Sequence, residues 1–127
     1  MEFYDPLQDP DPDEWLAIDE DEQVLLVADY HEEEGLDLPN MQLHASIHAA
    51  IESQLAMGDP PQVLSTLTRL LDGGLDRREA IHAIGSCLSE QMFNVVKDPS
   101  KNVNPTEAYV KSLDNLTAAK WFLSGEE

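Results

Sequence analysis

The chain has 127 residues, enough for one domain with a modest core. It carries 26 acids against seven Lys and Arg, a net charge of −19, and no apolar run near the roughly 20 residues that span a bilayer. A single cysteine, Cys87, excludes an internal disulfide framework and fits a reducing compartment. The first residues, Met1 to Asp5, have neither a basic nor an apolar leader segment, so a cytoplasmic protein is expected. Residues 1–68 hold 17 acids and no Lys or Arg, whereas residues 69–127 hold nine acids and all seven bases. Such a first half cannot neutralise phosphates, which argues against direct nucleic-acid binding and against anionic membranes. It suits a basic protein partner or polyanion mimicry, or it serves only as a solubilising surface.

In chain order, residues 1–10 contain two prolines and no periodicity, and they are read as an extended acidic arm ahead of a single helical domain over 11–127. Asp11 with Pro12 has the form of a helix start. Asp19 and Glu22 have the spacing of a capping box for a second helix, striped by Leu25, Leu26, Val27 and Tyr30 and stopped at Gly35. Leu38-Pro39-Asn40 forms a turn into a helix that runs to Met57 before Gly58. Asp59-Pro60 opens the next helix, where Val63, Leu64, Leu67, Leu70 and Leu71 follow an amphipathic template up to Gly73-Gly74. Asp76 and Glu79 cap a helix over about 77–97. Asp98 to Lys101 make a loop, and Asn104-Pro105 with Glu107 opens a last helix through Tyr109, Val110, Leu113 and Leu116. Trp121, Phe122 and Leu123 form an apolar patch that leaves a homodimer open. No alternating β pattern appears, so the fold class is an all-α bundle of five to six helices with short capped connections.

Two helices carry residues with chemistry. His44, His48 and Glu52 are spaced i, i+4, i+8 and stack along one line that begins inside the apolar face and drifts to its edge. Imidazoles and a carboxylate in such a line can converge on one ion. On the later helix His82, Ser86 and Glu90 form a stripe off the main apolar face, and Glu79 with His82 has the i, i+3 spacing seen in di-iron carboxylate bundles. If the stripes face each other, His44, His48, Glu52 and His82, with Glu79 or Glu90, form a half-buried cluster suited to zinc, iron or manganese. The same residues also suit a metal-free His–carboxylate network that sets helix register. The second functional reading is a non-catalytic interaction module whose acids, Asp19, Glu20, Asp21, Glu22, Glu32, Glu33 and Glu34, dock a basic surface. Cys87 lies away from His82 on the wheel. No phosphate loop, nucleophile elbow or CxxC pair occurs, so no catalytic residue is assigned and an enzyme is not favoured.

Taken together, His44, His48, Glu52, Gln54, Gly58, Asp59, Pro60, Leu75, Arg77, Ala80 and His82 resemble the pattern HxxxHxxxExQ…GDPP…GLxRxxAIHAIG of a bacterial all-helical domain family of unknown function. The resemblance is strongest over residues 38–85. It implies the helical fold and the importance of the histidine stripes, but no activity. Arg78 departs from it, standing where the family carries a further histidine four before His82.

Overall fold

The computed structural model describes residues 1, 3–35, 40–97 and 105–124. Among them are seven helices and no strand: α1 (Pro12–Leu16), α2 (Glu20–Glu33), α3 (Met41–Met57), α4 (Pro61–Asp72), α5 (Arg77–Lys97), α6 (Pro105–Asn115) and α7 (Ala118–Ser124). The all-α bundle is as expected. The seventh helix occupies the C-terminal stretch read only as an apolar patch. Thr117 starts it, its hydroxyl accepting from the Lys120 amide at 3.1 Å and its carbonyl from the Trp121 amide.

The punctuation marks act largely as their chemistry dictates. Asp11 accepts from the amides of Asp13 and Glu14 at the head of α1, with Pro12 behind it. Asn40 accepts from the Leu43 amide at 3.2 Å, and Gly58 closes α3 in the left-handed region at φ 68°. Asp76 accepts from the Glu79 amide at 2.8 Å at the head of α5. Two expectations shift. Asp19 precedes α2 without any side-chain cap, so no capping box with Glu22 forms there. Helix α4 begins after Pro60, with Pro61 in its first turn, one residue later than an Asp59 cap would set it. Leu38-Pro39, Asp98 to Lys101 and Asn104 lie outside the described residues.

Two apolar clusters form the interior. The larger joins α3 to α7 through Ile51, Val63, Leu70, Ile81, Ile84, Leu113 and Trp121. The smaller gathers Tyr4, Trp15, Val27, Ala45 and Ala49 between the first residues, α1, α2 and the first half of α3. Trp15 is fully enclosed, and its indole N–H donates to Ser53 Oγ at 3.1 Å. The described residues of the segment 1–10 contain no helix, and Tyr4 and Pro6 among them are buried against the bundle. Helix α3 contacts α1, α2, α4 and α5, so polar groups on its flank reach both clusters.

Candidate metal centre

The chain has four histidines, and the fold brings all of them together. His31 comes from α2, His44 and His48 from α3, and His82 from α5. One ring nitrogen from each lies within 4.8 Å of those of the other three. The ring centroids are 4.7 to 6.3 Å apart, mostly edge to face. His31 and His48 are buried, while His44 and His82 are half-buried. An ion held by imidazoles at about 2.0–2.1 Å sets adjacent nitrogens roughly 3 Å apart and opposite ones roughly 4 Å apart. The 4.8 Å span of the cluster is somewhat wider than that spacing. His44 Nε2 and His31 Nε2 are 3.0 Å apart.

Local structure explains why the rings converge. Spacing of four along α3 stacks His44 and His48 on one line. Helix α2 does the same with Gln23, Val27 and His31, all buried toward α3. Residue 31 was not among the ligand candidates, because α2 lacks a clean apolar stripe and its acids dominate the pattern. The stripe Gln23-Val27-His31, parallel in spacing to His44-His48-Glu52, was the signal for it.

Hydrogen bonding sets the tautomers. His31 Nδ1 lies 2.8 Å from the Val27 carbonyl, which can only accept, so this nitrogen carries the proton and Nε2 offers a lone pair. His48 Nε2 is 2.8 Å from the Tyr4 hydroxyl, and that hydroxyl donates to Glu52 Oε2. With its own proton committed to the carboxylate, the phenol oxygen accepts from His48 Nε2–H. The lone pair of His48 therefore lies on Nδ1, which is buried and has no hydrogen-bond partner. Burial lowers the pKa of His48 well below the ordinary value, and the neighbouring His82, His31 and His44 add to the effect. Burial, with His31 next, lowers His44 as well. With His31 Nε2 bare, His44 Nε2–H donates to it at 3.0 Å, so in the metal-free chain this inward position carries a proton that a bound metal would displace.

Glu52 is not in this group of four. Its carboxylate, almost fully buried, receives both terminal nitrogens of Arg77, each at 2.8 Å, in a two-pronged pair. Arg77 also donates from Nε to Asp9 at 2.6 Å and from Nη1 to the Pro6 carbonyl at 2.9 Å. Burial works against the Arg77 charge, but the bonds and charge of Glu52 hold its pKa above the usual value. Burial and then Glu52 raise Tyr4 well above the ordinary phenol range, so it remains a donor. A relay thus runs Arg77, Glu52, Tyr4, His48, and it ties residues 4–9 to the centre. Orienting partners of this type are the common companions of metal-bound histidine.

The remaining candidates stand apart. Glu90 is exposed on α5, and the Glu79 amide is engaged at the helix start with Asp76. Neither belongs to the group whose ligand atoms converge. The acids Asp19 to Glu22 and Glu32 to Glu34 are all exposed at the two ends of α2. Arg78 interacts with Tyr30 beside the cluster. Burial raises the Cys87 thiol, which disfavours its nucleophilic form. No helix among the described residues is long and apolar enough to cross a membrane.

Residues 9–115 match the family model described as a domain of unknown function, DUF1841, and the chain belongs to that family. No curated protein and no solved structure matched the chain.

Proposed function

We propose that this DUF1841 domain binds one transition-metal ion through His31, His44, His48 and His82. The observation that carries the reading is the convergence of every histidine in the chain on one point, from three separate helices. The buried Nδ1 of His48 adds to it. Left unsatisfied, such a nitrogen costs about 1–3 kcal/mol, and a metal bond removes that cost.

The donor set narrows the metal. Four neutral nitrogens and no oxygen disfavour calcium, magnesium and manganese, and favour zinc, iron, nickel or copper. Glu52 moves from ligand to support, acting on His48 through Tyr4. In this reading the stretch from His44 to Gly85 pairs ligands (His44, His48, His82) with their supports (Glu52, Arg77), and Arg78 subtracts nothing because His31 is the fourth ligand.

The test is elemental analysis of the full chain purified without chelator, with thermal melts in added zinc and iron(II). About one equivalent of metal per chain is expected, and saturating metal should raise stability by about 2.7 kcal/mol at a hundredfold excess over Kd. His31→Ala should abolish uptake, whereas Glu79→Gln and Glu90→Gln should leave it intact. Less than about a tenth of an equivalent with no melting shift on metal addition overturns the proposal.

A further inference from the structure

The four histidines divide into two buried and two half-buried rings, and the half-buried pair faces a cleft. The cleft is about 340 Å³, near the lower end of the range for small-molecule sites. It lies between α3 and α5. Ile47 and Ile81 line it with His44, His48 and His82, and Trp121 of α7 closes one side. Gly85 lets the two helices approach at this point: a Cβ there would stand 3.2 Å from Ile47 Cγ2. His31 is absent from the lining, so the centre has a protein-filled side and an open side.

Charge then selects what enters. The four ligands are neutral, so a divalent ion keeps both positive charges. The buried carboxylate of Glu52, which reaches His48 through Tyr4, is already neutralised by Arg77. The cleft lining contributes no Asp, Glu, Lys or Arg. A half-buried double charge without a compensating anion is costly, and an anion from outside removes the cost.

Resting on the metal-binding reading above, we infer that the centre is open and that a small monoanion, of the size of azide or a short carboxylate, enters by the α3–α5 cleft to coordinate the ion. Its lone pair fills the position on the side of His44 and His82. The apolar walls of Ile47, Ile81 and Trp121 limit its size and favour a short aliphatic carboxylate among natural ligands. Four histidines alone would complete the set of a structural zinc site, so the anion would add a fifth ligand, and its binding is what separates a ligand-binding centre from a structural one.

The experiment loads the full chain with cobalt(II) and follows the visible d–d bands during titration with sodium azide, then sodium acetate. A saturable one-to-one spectral change is expected with azide, with a Kd of about a millimolar, and a weaker one with acetate. Ser86→Phe and Ser89→Phe, placed separately in the cleft wall, should keep cobalt uptake and weaken azide by about tenfold or more. Failure to bind cobalt, or any other metal, sinks the metal reading itself. Normal cobalt uptake with bands that azide leaves unmoved sinks only the open-site inference. An azide response undiminished in whichever phenylalanine variant folds overturns the cleft as the route.

Discussion

Tyr4 is the residue on which the centre's protonation pattern turns. Its hydroxyl gives a proton to Glu52 and takes one from His48, which leaves the buried Nδ1 of His48 bare. Tyr4→Phe keeps the ring that packs 5.7 Å from Trp15, so the small cluster stays filled. It removes the orienting bond alone. We expect metal affinity to fall by about 10–100-fold in a competition titration against a chelator dye. Stability of the metal-free chain should fall by only about 1–3 kcal/mol in urea unfolding. An unchanged affinity would mean that the relay has no part in metal binding. At this scale the sequence was half legible. The spacing in α3 made His44 and His48 visible, but it placed Glu52 with them because i, i+8 looks the same whether a side chain ends at a metal or at Arg77. Only tertiary structure brings a residue of the first ten, and an arginine 25 positions away, to that carboxylate.

At the scale of elements, start and stop chemistry carried most of the reading. Asp11, Asn40, Gly58 and Asp76 mark helix ends because each satisfies backbone groups that the helix leaves open, a local requirement that local sequence can show. Helix α7 escaped for the converse reason. It is seven residues long, its start rests on Thr117, and packing against α4 holds it. That packing yields a prediction. Gly73 ends α4 at an ordinary φ of −81°, and a Cβ added there would stand 2.6 Å from Ala118 Cβ, which cannot rotate away. Gly73→Ala should therefore cost about 1–3 kcal/mol in chemical denaturation by pushing α7 off α4. Adding Ala118→Gly should return part of that loss, and the non-additivity measures the contact.

For the molecule as a whole, charge and protons set the conditions under which the centre exists. Excess negative charge repels itself but draws divalent cations toward the surface. His48 and His44 stay neutral in the native fold below the ordinary value of 6.5, at which an unfolded histidine takes up a proton. The sign follows from linkage: the stability they contribute is fully present above about 6.5 and is lost as pH falls from there toward their depressed native values. Metal-free protein should accordingly show a urea midpoint flat from about pH 8 to 7 and falling below about 6.5. His48→Gln should flatten the acid limb. A limb that does not change would assign the acid sensitivity to other groups. The convergence of α2, α3 and α5 also has a consequence for how this chain is cross-linked. With one cysteine it has no internal disulfide, yet an ion shared by His31, His44, His48 and His82, as proposed above, would join three helices and close loops of the unfolded chain as a set of disulfides would. Such a tie ignores reductants and answers to chelators, so the rigidity of the domain would follow the metal supply of its compartment and not its thiol status.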